Sequence, residues 1–307
     1  MIEPHTARLS LRSVAALRSI RRREFVGLLG GAAAAWPLAA RAQQADDRVQ
    51  VLLSRILRLQ DEVIADKITQ FIREIESQIG WTTQLPWSAG TIDQRRFDGL
   101  RLLRQVPAIT ELAQLDDAGI EQLKVSRLAM DVVASKQDFS QDPKFTEAMA
   151  NKVYYGPVYL RSQLATYPHM TLALAGTRRG AGVSVAMVSL ALVWEIVRKM
   201  KVGEHGVAYI VDAQGRVIAH SSMIVQVRDA QNRLIEQVDS SLFLHDLSSL
   251  AQVQAARAAG FGSGSGVVQA GRDINGREVL AAYAPIAGPG WLVFVELPVA
   301  EANAPAR

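Results

Sequence analysis

From Asp46 to Gly80 the apolar residues Val49, Leu52, Leu53, Ile56, Leu59, Val63, Ile64, Ile68, Phe71, Ile72, Ile75 and Ile79 recur three and four positions apart, with charges between them. That spacing draws one apolar stripe along a single amphipathic helix of more than 30 residues. Asp46 and Asp47 suit the positive end of such a helix, and Gly80 suits its close. A small globule rarely uses a helix of this length. The helix is therefore expected either to lie as a spine along two modules or to pair with another copy of itself, and the pattern favours both together.

The segment before it has a different chemistry. Arg22-Arg23-Glu24-Phe25-Val26-Gly27 runs into an Ala/Gly-rich apolar stretch that ends at Ala40-Arg41-Ala42. A cluster of arginines, 16 uncharged residues from Phe25 to Ala40 and a small-x-small end are the three parts of an export signal. Paired arginines followed by Phe resemble a twin-arginine signal, although Arg21 stands where that class usually has Ser or Thr. The other reading is a short membrane anchor or a buried Ala-rich helix. Gly27, Gly30, Gly31 and Pro37 weaken it, and the stretch falls short of the roughly 20 residues that span a bilayer. Residues 1–42 are thus expected to be an export signal cleaved after Ala42, with a periplasmic product that stays tethered if cleavage fails.

Without that segment the charge changes. Residues 1–42 hold seven arginines and two acids, so of 34 basic and 30 acidic residues 27 and 28 remain, a net of −1. A near-neutral chain with no basic run among aromatics gives no case for nucleic acid or anionic lipid as a partner. Cysteine is absent, which excludes disulfides, thiolate metal sites and a Cys nucleophile, and suits an oxidising compartment. The remaining 265 residues suffice for one large domain or two modules. No stretch beyond residue 42 reaches transmembrane length without charge, and the polar tail 299–307 offers no C-terminal anchor.

After Gly80 the pattern reads as two successive α/β units. Residues 81–90 connect, Thr91 to Val106 is a helix stopped by Pro107, and Ile109 to Leu115 is a strand. Asp116-Asp117-Ala118-Gly119 turns into an alternating strand, Leu123 to Leu128, and Phe139 to Asn151 is helical. Val158 to Arg161, Met170 to Ala175 and Val183 to Val188 read as antiparallel strands, the last two joined by the hairpin 179–182. The second unit has a helix at Leu190 to Lys201, then strands Val207 to Val211 and Val217 to His220 around the turn Asp212-Ala213-Gln214-Gly215. Leu242 to Ala259 reads as mostly helical and Gly260 to Gly266 as a flexible link. Val267-Val268, Glu278 to Ala284 and Trp291 to Leu297 close the unit, with a turn at Asn275-Gly276.

A long N-terminal helix feeding two such units resembles the double Cache domain, the extracytoplasmic sensor of bacterial chemoreceptors, histidine kinases and cyclases. The stretches that carry the resemblance are Val153 to Tyr159, Met170 to Gly176, Gly206 to His220, Tyr283-Ala284-Pro285 and Gly290 to Glu296. Together they place it on roughly residues 46–298. The resemblance implies an α+β fold, a long N-terminal helix (43–80) followed by two tandem PAS-like (Cache) modules with antiparallel sheets flanked by helices. The membrane-distal module would span 81–189 and the membrane-proximal one 190–298. It also implies a small-molecule pocket, most often in the distal module, and a following membrane helix with an output domain. This sequence carries no kinase, cyclase or methyl-accepting segment, so the signal is expected to pass through a membrane-bound signalling or transport partner.

Amino-acid-binding members of that family carry an Arg-x-Trp-Tyr-type motif, then Tyr-x-Asp and a further Asp. The first falls near Lys144-Phe145-Thr146, the second on Tyr159-Leu160-Arg161 and the last near Met187, so the usual carboxylates for an ammonium group are replaced. A guanidinium at Arg161 would instead fork onto a carboxylate or another anion. The expected ligand is therefore a small organic molecule, carboxylate or neutral, held by Tyr155, Tyr159 and Arg161 with Arg127 and Tyr167 as secondary contacts. The competing reading packs both first tyrosines in the core and leaves Arg161 a solvated surface charge.

No catalytic, metal or cofactor site is expected. His169, His205, His220 and His245 lie 36, 15 and 25 residues apart and match no compact ligand motif. Gly260 to Gly266 lacks the P-loop Lys and a following helix, and does not sit on the strand-to-helix turn of a nucleophile elbow. The alternative function is a periplasmic solute-binding protein serving a transporter, but those are built on parallel βαβ sheets, whereas these strands connect mainly by hairpins.

Overall fold

The computed structural model of the chain describes residues 22–84, 86–87, 89–161, 167–223, 227–228, 234–236, 242–261 and 264–304, with side chains described from Arg48 onward outside 224–241 and 268–270. The chain divides into two compact units, Met1–Leu52 and Leu53–Arg307. In the first, helix α1 (Arg22–Gly80) begins well before the Asp46 expected from sequence. The run Ala32 to Ala35 with Ala39 and Ala40 has the highest helix propensity of any residue type, which offsets scattered glycines. Among the described residues no helix is long and apolar enough to cross a membrane.

The second unit holds both sheets. A 3₁₀ turn at Trp81–Thr83 follows α1, and α2 (Ile92–Gln105) opens on Thr91, whose Oγ1 accepts the Gln94 N–H at 3.2 Å. Strands β1 (Ile109–Leu115), β2 (Glu121–Ser126), β3 (Val132–Val133), β4 (Val153–Tyr159), β5 (His169–Ala175) and β6 (Val183–Ser189) form one sheet in the order β3-β2-β1-β6-β5-β4. Helix α3 (Pro143–Asn151) starts on Asp142, which caps the Lys144 N–H at 2.9 Å, with Pro143 pre-set for the first turn.

Helix α4 (Ala191–Arg198) leads to the second sheet. Its strands are β7 (Val207–Val211), β8 (Val217–His220), β11 (Gly266–Arg272), β12 (Glu278–Ile286) and β13 (Trp291–Pro298), in the order β11-β12-β13-β7-β8. A separate two-stranded ribbon pairs β9 (Val227–Arg228) with β10 (Leu234–Glu236). Helices α5 (Ala251–Ala259) and α6 (Val299–Ala302) complete the unit. Every described strand pair is antiparallel. The expected fold class, a long helix followed by antiparallel sheets with flanking helices, is the one observed.

One apolar core joins α1 to both sheets. Leu57, Ile64, Ile68, Ile72, Ile75 and Ile79 are buried along α1 against Leu112, Leu172 and Val188 of the first sheet and Phe294 and Tyr209 of the second. Burying each such isoleucine contributes about 2 kcal/mol relative to leaving it in water. A smaller core lies on the other face of the first sheet, where Phe145 and Ala148 of α3 cover Leu115, Ala173, Val183 and Val185.

Candidate ligand-binding face of the first sheet

Strand alternation decides which side chains share a surface. The pairings Glu111↔Met187↔Thr171 and Ala113↔Val185↔Ala173 set these residues on the α3 face, and Tyr154 and Tyr159 join it through Ala173 and His169. Toward one end α3 fills that face with Phe145 and Ala148. Toward the other, half-buried Glu111, Thr171 and Met187 are left beside Arg161, which follows β4.

Arg161 is the centre of this arrangement. Its Nη2 lies 3.4 Å from Glu111 Oε2, and its Nη1 is buried with no hydrogen-bond partner among the described residues. A guanidinium with one nitrogen on a carboxylate and the other unsatisfied can still take an acceptor from outside. His169, buried next to it, hydrogen-bonds Tyr167 O through Nδ1 at 3.1 Å. Burial lowers the His169 pKa, the Tyr167 carbonyl opposes the shift, and the Arg161 charge adds to it. The face therefore presents one cation, one anion and a neutral imidazole.

The five residues singled out from sequence do not all meet. Tyr159 and Arg161 lie together on the α3 face. Tyr155 points to the opposite face, where its hydroxyl donates to Glu76 Oε1 of α1 at 2.5 Å. Burial and the Glu76 carboxylate raise the Tyr155 pKa. Tyr167 meets Trp194 of α4 edge to face, ring centroids 6.3 Å apart. Arg127 is exposed, with its Nε on Ile109 O at 3.2 Å. Glu111 was not singled out. Its signal was a lone acid on the strand face otherwise set by Ala113 and Leu115, 50 residues from the arginine it meets.

Two open grooves lie elsewhere. One of about 520 Å³ runs between Phe71, Glu74, Ile75 and Gln78 of α1 and the Gln105–Ala108 connection. A second, about 290 Å³, is lined by Trp81, Gln94, Arg95, Asp98 and Gln114 among others. Arg95 there is committed to the loop, stacked 4.1 Å from the Trp87 ring with Nη2 on Pro86 O at 2.7 Å. No group of acids and histidines able to hold a metal ion occurs among the described residues.

The profile of the family described as Cache domain matches residues 41–306. The fold is similar to the sensory domain of the Campylobacter jejuni chemoreceptor Tlp3 (CcmL), at 13% identity and a TM-score of 0.61, covering 84% of this chain and 98% of that one. Tlp3 is also known with isoleucine bound, and that structure gives a TM-score of 0.58 at 13% identity, with coverages of 84% and 98%. The ligand-binding domain of the Pseudomonas aeruginosa PAO1 amino acid chemoreceptor PctC, in complex with GABA, matches at 15% identity and 0.55, covering 81% of this chain and 99% of that one. No curated protein is detectably similar in sequence.

Proposed function

The chain belongs to the Cache domain family, and from that premise we propose that it is an extracytoplasmic sensor of small carboxylate-bearing molecules in bacterial signal transduction. The observation that carries the ligand class is the buried Nη1 of Arg161, without a partner among the described residues, beside Glu111. A ligand carboxylate would complete the guanidinium, and Glu111 would then be free to hold an ammonium group on the same molecule. Glu111 thus supplies the acid that the family's motif positions lack here, and small zwitterions join plain carboxylates as candidates.

Thermal shift of residues 43–307 with a panel of amino acids and simple carboxylates tests this. A binding member of the panel should raise the melting temperature by several degrees, and Arg161→Ala should abolish the shift. Glu111→Gln should weaken zwitterions and spare plain carboxylates. Stabilisation that survives Arg161→Ala unchanged overturns the site assignment.

From the fit of residues 1–42 to a twin-arginine export signal we infer that the sensor works in the periplasm, together with a membrane-bound partner. The chain would also work as a dimer through α1. Ile56, Leu59 and Val63 are each about half exposed at alternating three- and four-residue spacing, and Leu52 and Val49 continue that spacing in sequence. This is the repeat of a two-stranded seam. Sedimentation velocity should show a dimer that Leu59→Asp converts to monomer. A wild-type monomer at high micromolar concentration removes this part of the proposal.

A further inference from the structure

The second sheet contains a group of buried polar side chains that ligand recognition at Arg161 does not use. Glu296 of β13 is buried, and its Oε1 accepts the Tyr209 hydroxyl at 2.5 Å and Gln252 Nε2 at 2.7 Å. Gln252, from α5, gives its other amide hydrogen to Arg272 O at 2.8 Å, and its Oε1 has no partner among the described residues. Tyr209 is stacked between His220 and Phe294, at 5.7 and 5.1 Å.

Asp61 approaches this group from α1. It is 0% exposed, and neither carboxylate oxygen has a hydrogen-bond partner or a salt bridge among the described residues. Its charged surroundings are unfavourable to an anion. Glu62 adjoins it on α1, bonded by Ser265 Oγ and 3.6 Å from Arg58 Nε, and Glu296 faces it from β13. Behind Glu296 stands Asp273, already paired with Arg277 at 2.7 Å. From β7 comes the neutral Tyr209 phenol, from α5 the neutral Gln252 amide, and from β8 His220 behind the phenol ring. An isolated ionised carboxylate in such a place would cost many kcal/mol, so the group neutralises instead.

We propose that the second module responds to protons through Asp61, which seats α1 as a neutral carboxylic acid and loosens that seat when it ionises. Burial raises the Asp61 pKa first, and the nearby Glu62 and Glu296 charges raise it further. A raised acid binds its proton more tightly in the docked state. The stability it supports is fully present below the ordinary aspartate value of 3.8 and is lost as pH climbs through the raised value. The input is independent of Arg161, which lies on the other sheet.

Hydrogen exchange by mass spectrometry on residues 43–307 tests it. Between pH 5.5 and 8.5 the protection factors of amides 57–66 should fall at least tenfold, while those of β5 and β6 stay level. Asp61→Asn, a neutral isostere, should hold protection at the low-pH level throughout, and Arg161→Ala should keep the wild-type profile. Glu296→Gln, which removes the facing charge, should move the transition to lower pH, since one fewer anion makes Asp61 easier to ionise. Protection over 57–66 that does not vary with pH, or a wild-type profile in Asp61→Asn, overturns the proposal. Should Asp61→Asn fail to fold, the Glu296→Gln shift decides, with no shift counting against it.

Discussion

His220 shows how a single side chain can be fixed in one chemical state. Its Nδ1 accepts the Ser222 N–H at 3.0 Å, so that nitrogen carries no proton, and burial lowers its pKa to about 4. Since the unfolded imidazole titrates near 6.5, the unfolded chain takes up the proton first. Folding stability should therefore fall with acid across pH 6.5 to 4, by about 3 kcal/mol in all. NMR of labelled histidine should find the Nε2–H tautomer at pH 6 and a midpoint near 4, and a midpoint near 6.5 would contradict the assignment. At this scale the sequence was only partly legible. His220 could be read as structural from its place at a strand end, and Arg161 as a candidate anion partner from the motif position it occupies. Glu111 could not, because no local pattern reveals which residue 50 positions away a cross-sheet neighbour will be.

Among elements, three turns follow one rule. Asp116, Asp212 and Asp273 each accept backbone N–H groups two and four residues on, and a side-chain nitrogen from Gln122, Arg216 or Arg277 at the start of the strand that follows. Each has glycine three residues later, at φ of +84°, +91° and +80°. At Gly215 an added Cβ would also lie 2.9 Å from Ser248 Cβ. Asp212→Ala removes three bonds to a buried carboxylate and should cost about 2 kcal/mol or more, seen as a lower urea midpoint. Those turns were readable because Asp and Gly act locally. Strand β4 was harder. It begins at Val153, five residues before the expected Val158, and runs through Gly156 and Pro157. As the edge strand with a bulge between Tyr155 and Val158 it can accommodate proline, whose missing N–H faces no neighbour. The expected helix from Leu242 exists only from Ala251. Leu244 N and His245 O instead bond to Val217 at the start of β8, and Leu244 takes φ +60° to do so. Apolar spacing alone could not reveal that long-range claim on the segment.

For the whole molecule, the buried groups His220 and Asp61 act on stability in opposite directions. His220 makes stability rise with pH between 4 and 6.5, whereas Asp61, its pKa raised by burial, makes stability fall as pH climbs above the ordinary aspartate value. Thermal unfolding from pH 4 to 9 should therefore show a larger gain in stability with rising pH in Asp61→Asn than in the wild type, and identical profiles would count against the Asp61 contribution. The sequence pattern of α1 announced a spine, but not that the fully buried Asp61 would meet the second sheet. That acid is separated from Glu76, the partner of Tyr155 on the first sheet, by 15 residues of uninterrupted helix, a rise of roughly 22 Å. A helix of that span touches both sheets along one continuous backbone. Were α1 to slide or turn as one body at either sheet, its contacts at the other would shift with it, and two chemically unrelated stimuli would meet on one helix before either leaves the protein.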